Sequence, residues 1–211
     1  MTDLEKKSGA VEVPLEFWFD LSSNYSYLSL MRVEDLARGR GIDIQWRPFL
    51  LGPVFASLGW NNSPFVVQKA KGAYVKRDME RQCAKYSLPW SWPSEFPRRT
   101  LLPMRVAVYG QDQPWLADFC KRIMLLNFAE DQEIDSPEVV GDVLCSMGLP
   151  ASDIIDASQN EAFKQALRIQ TQQAQEKGIF GAPMFVVHRE LFWGNDRLED
   201  AINYCAEVKS Q

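Results

Sequence analysis

The order of the apolar segments constrains this chain more than any other feature. LEFWFD, Leu15 to Asp20, is a short apolar and aromatic run, as expected of a strand buried in a parallel sheet. It stops at the polar turn Leu21-Ser22-Ser23-Asn24. A helix is expected from about Tyr25 to Arg38, because Tyr27, Leu30, Val33 and Ala37 fall on one stripe; Gly39 and Gly41 stop it. Ile42 to Arg47 (IDIQWR) alternates like a strand, and Pro48 closes it. Strand, helix, strand is a βαβ unit, so the two strands should be parallel with a right-handed crossover.

The pattern then changes. From about Val54 to Lys177 the signals are mostly helical. Residues 65 to 86 read as one long charged helix, and LPWSWPSEFPRRTLLP, with Pro89, Pro93, Pro97 and Pro103, as an extended loop. Helices are expected near 103–110 and 114–129. Ser136-Pro137 should open another, which Gly148 ends. Ser158 and Glu161 make a capping-box pattern for a helix to Lys177, terminated by Gly178. The end returns to β: Met184 to His188 and Leu191 to Gly194 flank Arg189-Glu190 as a hairpin link, and a last helix runs from about Arg197 to Val208. The order β-α-β, helices, β-β-α is that of an α/β thioredoxin-like fold. Residues 1–53 and 178–211 would form the thioredoxin-like domain and 54–177 an all-helical insertion.

The 211 residues carry a net charge of -5, which argues against nucleic acid as a partner, since phosphate binding needs a basic surface. No apolar run approaches the ~20 residues of a membrane span. The opening MTDLEKKSGAVEVP, a loose lead-in over 1–13, lacks the apolar core of a signal peptide. Cys83, Cys120, Cys145 and Cys205 show no C-x-x-C spacing, so neither a zinc knuckle nor a redox dithiol is encoded locally, and no metal site is expected. A cytoplasmic protein with free thiols fits best, each Cys serving as a small buried hydrophobe.

Four stretches are candidates for chemistry. The first is the Ser23 turn, where a strand-to-helix junction aims backbone N–H groups outward; a thiolate at such a place is stabilised. Here Ser23 and Ser26 occupy the two positions a C-x-x-C motif would hold. The plainer alternative is that Ser23 merely caps the helix. The second is GIFGAP, where Pro183 at the start of a strand suits a cis peptide and would leave the backbone of Ala182 to pair with a peptide-like ligand. The third is Asn195-Asp196-Arg197, suited to a zwitterion but equally to ordinary capping. The fourth is the loop and helix start at 59–74, with Asn61, Asn62 and Lys71 and positive charge from Arg47 and Lys69; its alternative is a solvated face. Trp60, Phe65, Trp90 and Trp92 are candidates for an apolar pocket or for core packing.

The residues FWFDLSSNYSYL, WRPFLLGPVF, the stretch from Ser63-Pro64-Phe65 to Lys71-Gly72-Ala73-Tyr74, GIFGAP and FWGNDRLED together resemble the 2-hydroxychromene-2-carboxylate isomerase family. That family is related to kappa-class glutathione transferases and more distantly to DsbA-like oxidoreductases. The resemblance spans Leu15 to Ala206. It implies a thioredoxin-like fold with a helical insertion, bound glutathione, an aromatic small-molecule substrate and a homodimer. It also implies roles. Ser23 matches the catalytic serine. Ala182 matches the residue that pairs with the glutathione backbone, and Pro183 the cis proline. Asp196 matches the acid that holds the γ-glutamyl group, with Asn195 and Arg197 in the same motif. Asn62, or Asn61 one place earlier, and Lys71 complete the cofactor-binding set. One departure stands out: the family usually has Pro after the catalytic serine, and this chain has Asn24.

Three other activities compete with a glutathione-dependent isomerase. A kappa-like transferase would release a stable conjugate. A disulfide oxidoreductase would need the two sulfurs that Ser23 and Ser26 replace. A catalytically silent thioredoxin-like binding protein would have Asn24 as its mark.

Overall fold

Strand β1 (Leu15–Phe19) runs through the middle of the molecule and is covered on both faces. The structure, a computed structural model, describes residues 13–209, so the lead-in expected over 1–13 lies outside them except for Val13. Leu15, Phe17 and Phe19 face one apolar cluster and Trp18 the other. This double burial is why the segment lacks a polar face.

The four strands are ordered β2-β1-β3-β4. β2 (Ile44–Pro48) is parallel to β1, while β3 (Met184–Val187) is antiparallel to β1 and β4 (Glu190–Trp193) antiparallel to β3. This is the thioredoxin-like arrangement expected from the element order. Pro48 pairs with Phe19 as the last residue of β2 rather than lying beyond it; an edge strand tolerates the missing N–H. The β3–β4 turn is His188-Arg189, one residue earlier than expected, because Val187 pairs with Glu190. His188 supplies a positive φ of 55°, which a two-residue turn matched to strand twist requires.

The helix expected over 25–38 is two: α1 (Asn24–Leu30) and α2 (Val33–Arg38). Arg32 leaves helical geometry, and its guanidinium stacks on Tyr86 and reaches Asn195 and Glu199. The pull of these partners overrides local propensity.

Between β2 and β3 the described chain forms α3 (Leu51–Ser57), α4 (Pro64–Val67), α5 (Lys69–Tyr86), α6 (Leu101–Tyr109), α7 (Leu116–Phe128), α8 (Pro137–Ser146), α9 (Ala151–Ser158) and α10 (Glu161–Glu176). The helix expected over 65–86 is broken at Gln68, and α4 folds back on α5. A Cβ at Gly72 would sit 2.2 Å from the Phe65 carbonyl oxygen, so only glycine permits this approach. α6 begins at Leu101 and takes in Pro103, whose missing N–H is harmless in a first turn. Ser136 caps α8 through the Val139 N–H, as expected. Ser158 does not cap α10: it ends α9, and its buried hydroxyl donates to the Ile155 carbonyl, leaving Asn160 as the cap.

The apolar side of the helical segment has no core of its own. Met104, Phe119, Met124 and Phe128 belong to the same cluster as Phe17, Phe19 and Phe185 of the sheet. α11 (Leu198–Lys209) closes this face through Leu198, Ala201 and Ile202. Among the described residues no helix is long and apolar enough to cross a membrane.

Candidate active site

The site grows from the carboxyl end of β1. Asp20 is buried there, and its two oxygens take four hydrogen bonds. Oδ1 accepts from the Ser22 N–H (2.8 Å), the Ser22 hydroxyl (2.9 Å) and the Thr100 hydroxyl (3.3 Å); Oδ2 accepts from the Leu51 N–H (2.8 Å). Burial pushes the carboxyl above its usual range, and the hydrogen bonds pull back against it. Asp20 thus ties the Ser22–Ser23 turn to the start of α3 and to the end of the proline-rich loop. A second tie comes from the buried Asn127, whose amide donates to the Leu21 carbonyl and accepts from Arg98. Arg98 in turn reaches Ser94 and Asp131.

Ser23 is the N-cap of α1. Its N–H donates to the Asp20 carbonyl (3.0 Å), and its Oγ accepts from the Ser26 N–H (3.2 Å). The same Oγ donates to the Ala182 carbonyl at 3.0 Å, across 159 residues of sequence. The Ala182–Pro183 bond is cis, as the sequence suggested. Ser23 is only 7% exposed. Capping and a contact to the proline loop are therefore joined in one hydroxyl. Ser26 is not its equal: its hydroxyl is buried without a hydrogen-bond partner among the described residues and lines no part of the two cavities described next.

Two adjoining cavities flank this point and share Leu51, Phe55 and Phe65 as walls. The larger, about 710 Å³, is within the range of small-molecule sites. It collects Lys71, Ala182, Asn195, Asp196 and Arg197. The smaller, about 200 Å³, collects Ser23, Asn24, Asn61 and Asn62. Pro183 is buried behind Ala182 and lines neither. Of the eight residues Ser23, Asn62, Lys71, Ala182, Pro183, Asn195, Asp196 and Arg197, to which the resemblance gives roles, all but Pro183 line these two cavities. Arg47 and Lys69 do not: Arg47 lies on β2 and donates to Gln45, and Lys69 is exposed at the start of α5. Trp60 and Phe65 do line the larger cavity, but Trp90 and Trp92 are packing residues, Trp90 stacked on Phe128 and Trp92 tilted against Phe96.

The polar groups of the larger cavity differ in how committed they are. Asn195 is buried, and its Oδ1 accepts from Ser29 (3.2 Å) and Arg32 (3.1 Å), fixing the turn before α11 against α1. Asp196 keeps 74% of its side-chain surface exposed, with Arg197 3.4 Å away. Gly194 holds a φ of 103°, and a Cβ there would collide with the Asp196 carboxylate at 2.6 Å, so glycine lets that carboxylate lie over the backbone.

Two residues of this cavity escape a motif search. The Tyr25 hydroxyl donates to Asp78 Oδ2 at 2.7 Å. Burial, then Asp78, raises the Tyr25 phenol well above its ordinary value, so it remains a neutral donor. Lys71, Tyr74, Val75, Asp78 and Gln82 of α5 all line the cavity. Their three- and four-residue spacing is one helix face, so extending the face from Lys71 would have found Asp78.

No cysteine lines either cavity. Cys83, Cys120 and Cys205 are buried and free, and burial pushes the Cys83 thiol up to about 12. Cys145, expected to be buried, is exposed on α8. Among the described residues no cluster of His, Cys, Asp or Glu could hold a metal ion. The arrangement can bind a small zwitterion: Asp196, Lys71, Arg197 and the Gly181-Ala182 turn line the larger cavity, and the Ser23 hydroxyl lines the smaller one beside it.

Known proteins share this fold. The DSBA-like thioredoxin domain family matches residues 14–204. A 2-hydroxychromene-2-carboxylate isomerase of Sphingobium xenophagum is 31% identical over 195 residues, covering 90% of this chain and 96% of that protein. Glutathione S-transferase kappa 1 of Caenorhabditis elegans is 25% identical, covering 87% and 86%. Among solved structures, a 2-hydroxychromene-2-carboxylate isomerase superposes with a TM-score of 0.80 at 25% identity, over 90% of this chain and 94% of that one. The chain therefore belongs to the DSBA-like thioredoxin domain family and, within it, to the 2-hydroxychromene-2-carboxylate isomerases.

Proposed function

We propose that this protein is a glutathione-dependent isomerase acting on aromatic breakdown intermediates like 2-hydroxychromene-2-carboxylate. The observation that carries the reading is the position of Ser23. Ser23 lines the smaller cavity, and its buried hydroxyl donates at 3.0 Å to the carbonyl of Ala182, which lines the larger one. Support also comes from the names of the relatives, isomerases and a kappa-class glutathione transferase.

The residues present fit a γ-glutamyl peptide. Asp196 would take its ammonium, Lys71 and Arg197 its carboxylates, the Ala182 backbone its central peptide, and Asn62 and Asn195 would add amide contacts. Glutathione supplies a thiol whose reversible addition to a conjugated double bond makes that bond rotatable. Ser23 would turn its proton from the Ala182 carbonyl toward the sulfur and so favour the thiolate. The wall of Phe55 and Phe65 would keep water from the reacting carbons. In a reducing cytoplasm a homodimer is the proposed form, with sedimentation as its check.

The test is Ser23→Ala. Glutathione-dependent turnover should fall by about 100-fold or more, as when a buried donor to developing charge is removed. Glutathione affinity by calorimetry should stay close to that of the unsubstituted protein. Intact turnover would remove Ser23 from the chemistry. The kappa-class relative favours a second reading, a transferase; a stable conjugate formed from an aryl halide would select it. Absence of glutathione binding would instead favour a silent binding protein.

A further inference from the structure

Three walls of the larger cavity are joined by one side chain that lines neither cavity. α1 contributes Tyr25 to the lining, α5 the face from Lys71 to Gln82, and the turn before α11 Asp196 and Arg197. Arg32 follows the end of α1. Its guanidinium lies over the ring of Tyr86, the last residue of α5, at 3.8 Å. One amino group donates to Asn195 Oδ1 in the turn, at 3.1 Å. The other donates to Glu199 Oε1 in the first turn of α11, at 2.5 Å. Ser29 of α1 gives the Asn195 oxygen a second bond, at 3.2 Å.

Local rules do not explain an arginine here. Residue 32 is the N-cap of α2, a place that favours Ser, Thr, Asp or Asn, and it makes no side-chain capping bond. The pair with Glu199 contributes little, because Glu199 keeps 64% of its side-chain surface exposed. What remains is the stack on Tyr86 and the bond to Asn195. A guanidinium does both at once, with its flat face on the ring and its edge on the amide; an ammonium has no such plane. We propose that Arg32 is a positioning residue of the larger cavity. It holds the turn that carries Asp196 against α1 and α5, and so sets how tightly the cavity grips a γ-glutamyl peptide. It does not touch the ligand. Ser23 lies before the other end of α1, bonded to Ser26 and Ala182, so Arg32 acts on binding and leaves the serine's chemistry alone.

The experiment compares the unsubstituted protein with Arg32→Met, Arg32→Lys and Glu199→Ala, first by amide hydrogen exchange. The Arg197 and Leu198 N–H groups donate to the Gly194 and Asn195 carbonyls, so their exchange reports on the turn. In Arg32→Met they should exchange at least about tenfold faster, the scale of one lost hydrogen bond to a charged group, while the Ser23 N–H keeps its rate. Arg32→Lys should fall between, and Glu199→Ala should stay within about twofold of the unsubstituted protein. In turnover, Arg32→Met should raise KM for glutathione about tenfold and leave kcat within about twofold, the reverse of Ser23→Ala. Unchanged exchange at Arg197 and Leu198, an equally quickened Ser23 N–H, or a fall in kcat at unchanged KM overturns the proposal. The kinetic measurement rests on the isomerase reading. If the unsubstituted protein shows no glutathione-dependent turnover, that reading fails, and the exchange rates alone decide the role of Arg32.

Discussion

The end of β1 and the first turn of α1 lie on either side of Ser23, and each buries one polar residue. Asp20 takes four hydrogen bonds from three separate segments of the chain. The amide of Asn24 takes none. Both sit at the same depth, and both would look like errors in an apolar core. Their hydrogen bonding separates them. A saturated buried group organises the fold, while an unsaturated one is held at a cost of roughly 1–3 kcal/mol and must be justified elsewhere. Ser23 lies between these extremes: its hydroxyl is engaged twice, yet its bond to Ala182 can be exchanged by rotation about one side-chain torsion.

The largest effect expected from breaking this contrast is at Asp20. In Asp20→Asn an amide replaces one oxygen. Whichever way it turns, its N–H groups must face either the Leu51 N–H or the donors of Ser22 and Thr100. A buried donor is then left unpaired, and stability should fall by roughly 1–3 kcal/mol in urea unfolding at pH 7. The pH dependence follows from the direction of the shift. Asp20 titrates above its unfolded value, so the folded state holds that proton more tightly. Its contribution is fully present in acid, below the unfolded carboxyl range, and is lost as pH rises through the raised folded value. The gap between the unsubstituted protein and Asp20→Asn should therefore narrow from acid toward neutral pH. A gap that widens instead would mean the hydrogen bonds outweigh burial.

A middle effect is expected at Ser23. Ser23→Ala removes the cap of α1 and should cost about 1 kcal/mol of stability, read from the denaturant midpoint. That is far less than the expected loss of turnover, and the disproportion is the measurement that matters. If stability and activity fell together, Ser23 would belong with Asp20 as architecture.

Much of this contrast was legible in the residues. The aromatic run of β1, the polar turn, GIFGAP and the GNDR turn placed Ser23, Ala182 and Asp196 near one another before any coordinates, because fold order fixes which loops converge. The local capping pattern was not enough at Ser158, since its burial turned the hydroxyl back to Ile155. Nor could apolar character separate Trp60, on the cavity, from Trp90, packed against Tyr27 and Phe128 at the edge of the core; that depends on which distant residues the fold brings to each loop. Asp78 carries no motif and could be reached only along the α5 face that starts at Lys71; its bond to Tyr25, 53 residues away, could not be read locally. Asn24 was visible only as a departure from the family pattern. That its amide is buried and unpaired is a property of the packing around it, and no local rule supplies that.

The smallest effect runs the other way and sharpens the contrast most. Asn24→Pro should stabilise the protein. Residue 24 is the first of α1, where proline's fixed φ suits the helix and its missing N–H is not needed. Ser23 before it is extended, at φ -87° and ψ 116°, the geometry that a following proline prefers. The restriction of the unfolded chain contributes about 0.4–1 kcal/mol, and removing an unpaired buried amide adds in the same direction. A higher denaturant midpoint with an unchanged slope would register this. A gain in stability would show that Asn24 is held at a cost to folding. If Asn24→Pro lowered stability instead, the amide would have a structural partner after all, and Asn24 would join Asp20 on the architectural side.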